Sequence, residues 1–342
     1  DDGAARLKGA DRDLTTPMTA LFTLDDLEAA FPIVRQLVPE TPSYAWPLLK
    51  ERFGLEIAVK HENHTPIGAF KARSSIVYIQ KHIEEHGRPS GVVTATRGNH
   101  GQSMALAART LGLPATIVVP EGNAEGKNRA MKAFGADLVI DGRDFDISRR
   151  TAERLAHESG FLMVPSFHRN IVLGVATYAL EFFRAHDDLD VVYVPVGMGS
   201  GACGLITVRD LLGLKTEIVP VVTENAPAYR LSVEAGKIVT TETAATFADG
   251  MACREPVQAA LDILQTGSNR IATVTDDEIA AAIRVLFADT HNLAEGAGAA
   301  ALAALMQDAP KLQGRKAGII LSGGNLDETA MQTVLTGGTP VV

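Results

Sequence analysis

The stretch that decides the fold runs from 191 to 208, VVYVPVGMGSGACGLITV. Its uncharged length approaches that of a membrane span, which takes about 20 apolar residues. Pro195 and the glycines at 197, 199, 201 and 204 argue against that reading. They suit a buried strand, a tight turn and the opening of a helix. In such a turn backbone N–H groups converge, and the helix N-terminus adds the positive end of its dipole, so the pair can cradle a phosphate. The segment Gly197-Met198-Gly199-Ser200-Gly201 is not a Walker A loop, because no Gly-Lys-Ser/Thr follows. A G-x-G-x-x-G pattern is met only from Gly199 through Gly201 to Gly204. Taken alone, the segment is equally an ordinary strand–helix turn.

Similar units flank it. Apolar, β-branched runs at 56–61, 91–96, 115–120, 136–141, 217–223 and 317–324 read as strands, as does 191–197. Helical patterns lie between them at 69–86, 100–111, 124–134, 148–158, 174–184, 202–212 and 276–289. The last opens with TDDEI, acidic residues that favour a helix N-terminus. Strand–helix alternation implies an α/β fold with mainly parallel sheets covered by helices on both faces. Ligands bind such sheets at the carboxyl ends of the strands.

Composition narrows the function. The chain has 342 residues, 46% of them hydrophobic, enough for two domains or one large α/β unit with a substantial core. A formal charge of −9 disfavours nucleic-acid binding. The two cysteines, Cys203 and Cys253, form no metal-binding or disulfide framework, so reduced thiols in the cytoplasm are expected. The N-terminal residues are polar and carry no apolar signal core; 1–15 read as a flexible tail. No membrane partner is expected.

Three further segments carry chemistry. ENHTPIGAFKARSS at 62–75 places Lys71 after Phe70 at a helix start, where a lysine could point to water, neutralise a phosphate or act as a desolvated nucleophile. TATRGNHGQS at 94–103 ends a strand in a polar turn. Thr96, Asn99 and its N–H groups could hold a carboxylate, Arg97 could supply a charged fork, and Asn99 could equally be a plain helix cap. IILSGGN at 319–325 ends an apolar strand at Ser322.

Together and in this order, the four segments resemble the fold-type II pyridoxal-phosphate enzymes, the tryptophan synthase β-like fold, and within it the serine/threonine dehydratase and serine racemase branch. Glu62-Asn63, Pro66, Gly68, Phe70-Lys71 and Arg73 follow that branch, as do Gly98-Asn99-His100, the turn 197–201 and Ser322-Gly323-Gly324-Asn325. FADGMACREP (247–256) and EGAGAAAL (295–302) also look like family segments, and the likeness spans about residues 40 to 330. The resemblance implies a large cofactor-binding domain (16–90 with 169–342), a small domain (91–168) and a homodimer. It implies pyridoxal 5′-phosphate held covalently by Lys71, with Phe70 beside the ring and Asn99 on the phenolic O3′. Gly197, Met198, Gly199, Ser200 and Gly201 would bind the phosphate, and Ser322 the pyridine nitrogen. Thr96, Arg97, Gly98, Asn99 and His100 would hold the substrate carboxylate. A serine at the pyridine nitrogen does not enforce protonation as an acid would, which suits β-elimination. The implied mechanism uses the freed Lys71 amine, its pKa lowered by burial and by neighbouring positive charge, as the base at Cα.

The departures shape the expected reaction. Arg97 stands where racemases carry a serine base, and a guanidinium is protonated below pH ~12, so racemisation is disfavoured. Arg97 could instead pair with the α-carboxylate or with an acidic β-substituent such as that of 3-hydroxyaspartate, or swing outward into solvent and do neither; a bulkier aryl β-substituent, as in phenylserine, also stays open. Ala69 replaces the usual serine. Arg230 falls where a second carboxylate would join Glu224 in a cation site, so no metal is expected. With about twenty residues after Ser322, a regulatory domain is not expected and a catabolic role is. The expected activity is dehydration of a β-hydroxy-α-amino acid to a 2-oxo acid and ammonia. The alternatives are another β-elimination or β-replacement lyase, or a non-covalent phosphate-ligand binding protein.

Overall fold

A computed structural model describes residues 21–143 and 145–341; the expected tail at 1–15 lies outside them. The strands are β1 Ser43–Ala45, β2 Glu56–His61, β3 Val92–Ala95, β4 Ala115–Val119, β5 Asp137–Ile140, β6 Leu162–Met163, β7 Val191–Pro195, β8 Glu217–Thr223, β9 Ala272–Val274 and β10 Lys316–Leu321. The helices are α1 Leu24–Val34, α2 Pro47–Phe53, α3 Ser74–His86, α4 Asn99–Thr110, α5 Glu125–Ala133, α6 Phe145–Ser159, α7 Arg169–Ala185, α8 Ser200–Leu211, α9 Ala228–Ala235, α10 Gln258–Gly267, α11 Asp276–Thr290, α12 Gly296–Asp308 and α13 Glu328–Leu335.

One sheet has the order β1-β2-β10-β7-β8-β9, the other β5-β4-β3-β6. Every pairing is parallel except β1 with β2. Parallel sheets require crossovers, and the crossover helices cover both faces, so the inner strands are apolar throughout. In β10 every residue after Lys316 is buried, and β8 is buried from Ile218 to Thr223. The stretch 191–208 is a strand, a turn and a helix, and no helix among the described residues is long and apolar enough to cross a membrane. We propose the two sheets as the cores of the larger and smaller domains, with the boundaries near 90 and 168.

The seven strands read from sequence are present, and β1, β6 and β9 were missed. These have two or three residues each, too few to show a period. Thr275 caps α11 reciprocally with Glu278, as TDDEI suggested. The helix expected at 69–86 opens instead as a 3-10 turn, Phe70–Arg73, before α3. Helix α12 was not foreseen because GAGAAALAALMQD has no polar face: residues 296–305 are all buried.

Candidate active site

Strands β2, β10 and β7 are parallel neighbours, so their carboxyl ends share one edge of the sheet. This brings the Lys71 segment, Ser322 and the glycine turn together. The first two are joined through backbone. Phe70 N–H donates to the Ser322 carbonyl (2.9 Å), Gly324 N–H to the Gly68 carbonyl (2.9 Å), and Ala69 bridges Gly323. Asn325 Nδ2 donates to the Ile67 carbonyl at 2.7 Å. Gly68 has φ +69°, and a Cβ there would lie 2.7 Å from Asn325 Oδ1, so this crossing needs glycine.

Lys71 projects from the 3-10 turn. Its Nζ donates to Ser200 Oγ at 3.1 Å and lies 5.1 Å from the centre of the Phe70 ring. Its carbonyl accepts from Ser74 Oγ (2.8 Å) and from Ser103 Oγ, which fixes the turn. Burial pushes the amine down to about 8. The expected neighbouring positive charge does not contribute, because desolvation alone is the cause.

The ends of Glu62-to-Arg73 explain why this turn holds. Both side chains are fully buried and paired with each other, Arg73 Nε to Glu62 Oε2 at 2.8 Å and Nη2 to Oε1 at 3.0 Å. Glu181 of α7 takes Arg73 Nη1 and Nη2, both at 2.9 Å, and Lys60 Nζ at 2.7 Å. Glu181 also pairs with the half-buried Arg35 at 2.8 Å, so both buried carboxylates are matched by cations, and removal of a buried partner would leave a charge uncompensated.

The residues present fit pyridoxal phosphate. The N-cap of α8 is Gly199, φ +94°, with no side-chain cap, so its first N–H groups remain to be satisfied by an anion. A Cβ at Gly197 would lie 2.1 Å from the Gly250 carbonyl, so the turn packs tightly against the 3-10 turn Asp249–Met251. Phe70, Tyr178, Val194, Pro195, Gly201, Ile320 and Ser322 line a small space at these strand ends. A larger cavity of about 330 Å³ beneath α6, lined by Val93, Thr116, Leu155, Glu158, Ser159 and Phe161, contains none of the expected site residues.

The other sheet contributes the turn after β3. Its helix, α4, is capped by Gly98 without a side-chain bond, so the capping role open to Asn99 is not taken. Asn99 Nδ2 instead donates to Glu295 Oε1 (2.7 Å), and its Oδ1 accepts from Asn325 Nδ2 (2.8 Å). Thr96 Oγ1 accepts the Gly98 N–H at 3.0 Å. His100 is buried with neither ring nitrogen hydrogen-bonded, and burial, then the Lys71 charge, lowers it to about 3. Arg97 is exposed at the rim.

Lys127, Asp249 and Glu295 were assigned no role from sequence. Lys127 of α5 pairs with Asp249, and a Cβ at Gly98 would lie 3.2 Å from Lys127 Cδ. Asp249 and Glu295 fall within FADGMACREP and EGAGAAAL, which gave some signal; Lys127 lies in the helical stretch 124–134, outside every motif. In the segment of the suspected cation site, Glu224 is exposed and Arg230 pairs with Glu234 at 2.8 Å. No group of three His, Cys, Asp or Glu side chains suited to a metal occurs among the described residues.

The family profile of pyridoxal-phosphate dependent enzymes matches residues 34–323. The chain belongs to this family. It is a fold-type II, pyridoxal-phosphate-dependent lyase of the serine/threonine dehydratase branch. It is 32% identical over 319 residues to L-threonine ammonia-lyase of Thermotoga maritima, covering 93% of this chain and 79% of that one. It is 30% identical over 316 residues to L-threo-3-hydroxyaspartate ammonia-lyase of Saccharomyces cerevisiae, covering 92% and 97%. The solved processed form of threonine deaminase isoform 2 from Solanum lycopersicum superposes with a TM-score of 0.87 at 28% identity, covering 92% and 86%.

Proposed function

We propose that this enzyme removes water and then ammonia from a β-hydroxy-α-amino acid, with Lys71 as the residue that carries the cofactor and then moves the protons. The observation that carries this reading is the placement of the Lys71 amine, desolvated and 3.1 Å from Ser200 Oγ at the start of α8. Pyridoxal phosphate, when bound, supplies an electron-accepting ring joined to the substrate nitrogen. The N-terminal turn of α8 would hold its phosphate, Ser322 would hydrogen-bond its ring nitrogen, and Asn99 its O3′.

Lys71 Nζ takes the Cα proton and delivers a proton to the departing β-hydroxyl. The turn from Thr96 to His100 orients the α-carboxylate through N–H groups at the start of α4. His100 stays neutral in the working range, so it contributes a hydrogen bond and no cation. The enamine product hydrolyses in water to a 2-oxo acid and ammonia. A serine facing the ring nitrogen favours elimination over transamination, and Arg97 cannot serve as the second base of a racemase. A homodimer belongs to the same reading.

The β-substituent is set by Arg97, whose exposed guanidinium stands beside the carboxylate-binding turn. The S. cerevisiae relative named for L-threo-3-hydroxyaspartate supports an acidic substituent. A panel of threonine, serine, phenylserine and 3-hydroxyaspartate, in threo and erythro forms and both Cα configurations, assayed for 2-oxo acid, tests both points. We expect turnover of at least one β-hydroxy amino acid. We also expect Arg97→Ala to lower kcat/KM for the best substrate at least tenfold, the size of one lost charge-assisted contact of about 1.5–3 kcal/mol. No 2-oxo acid from any member contradicts the reaction; an unchanged kcat/KM contradicts the role of Arg97.

A further inference from the structure

Glu295 opens α12 with its side chain buried beside two turns of the site. Its Oε1 accepts from Asn99 Nδ2 at 2.7 Å, and a Cβ at Gly323 would lie 2.5 Å from that same oxygen. Its Oε2 is buried with no hydrogen-bond partner. The carboxyl thus sits between Asn99 and the residue after Ser322, with one oxygen committed and the other unsatisfied. Unsatisfied buried carboxyl oxygens are costly, and a proton on the group reduces the cost.

The Asn99 amide is oriented by its neighbours. Asn325 Nδ2 donates to its oxygen, so its nitrogen must be the edge facing Glu295. One N–H goes to Glu295, and the second remains as the amide's other donor. We propose that Glu295 is a positioning residue which acts through Asn99, and that its change of charge tunes the hydrogen bond Asn99 offers to the cofactor's O3′. This rests on the proposed placement of O3′ at Asn99.

The charged groups around Glu295 come from every side. Burial raises it, Lys127 of α5 lowers it, Asp249 of the 3-10 turn raises it, and the Asn99 amide lowers it. The balance lies at about 7. Below that pH the carboxyl is neutral; above it, a carboxylate sits one amide away from O3′ and disfavours the ionised form of that oxygen.

The experiment uses the cofactor-loaded enzyme and its absorption bands, whose ratio reports the proton on O3′. In the unaltered enzyme the ionised-O3′ band should fall as pH rises through neutrality. Glu295→Gln keeps an acceptor for Asn99 and removes the charge, so its band ratio should stay at the low-pH value across that range. Lys127→Met should move the midpoint up and Asp249→Asn should move it down, each by about 1 pH unit, the effect of a nearby charge. A purely structural Glu295 would produce none of these shifts. A titration in Glu295→Gln identical to that of the unaltered enzyme, or no titration in either, overturns the proposal while leaving Lys71 untouched. A protein that shows no cofactor band overturns the Lys71 reading, and the Glu295 proposal falls with it.

Discussion

Lys71 differs from the other lysines of the chain in what surrounds it. Lys60 is fully buried and Glu181 holds its charge at 2.7 Å, whereas the half-buried Lys71 meets a hydroxyl and a ring face. Burial without a counter-charge favours the neutral amine, the form that attacks an aldehyde. The pH dependence follows in sign. The neutral fraction grows as pH rises through about 8, so cofactor loading of the apoprotein should accelerate up to that pH and level off above it. Stopped-flow absorbance measures this; a rate still climbing at the ordinary lysine value of 10.5 would show an amine in water. Lys71 can be singled out in the sequence because its neighbours form a motif. The partnership of Glu62 with Arg73 cannot, since their pairing needs a loop to fold back across eleven residues and Glu181 to arrive from α7.

Among the elements, α12 shows where sequence reading stops. Amphipathic helices such as α11 announce themselves by period and cap, but a helix buried on every side has neither signal. Its small residues have a steric purpose. Gly298 approaches the Gly323 carbonyl so closely that a Cβ would lie 2.1 Å away. We therefore expect Gly298→Ala to force the Ser322–Gly323 turn off β10, at a cost of about 1–3 kcal/mol for overpacking. Denaturant unfolding should show that loss together with weakened cofactor binding. Unaltered stability and binding would mean that the helix is not wedged against this turn. The 3-10 turn at Phe70–Arg73 was likewise read as α-helix, because its entry is set by tertiary contacts that leave no local signal, the bridge of Ala69 to Gly323 and the bond of Phe70 N–H to the Ser322 carbonyl.

At the scale of the whole molecule, the site belongs to both sheets. Lys71, Ser322 and the glycine turn come from one, Asn99 and His100 from the other, and the contacts of Asn99 with Glu295 and Asn325 and of Lys127 with Asp249 cross between them. The α/β class and the parallel strands could be read from the alternation of patterns. The crossing contacts could not, because residues such as Lys127 and Asp249 are 122 positions apart and carry no local signature. We propose that these elements converge on Lys71 as the residue that binds pyridoxal phosphate covalently. Borohydride reduction of the loaded enzyme, followed by proteolysis and mass spectrometry, tests it most directly. The reduced cofactor should appear on the peptide containing Lys71, and Lys71→Ala should lose the visible band; a label on any other lysine would contradict the assignment.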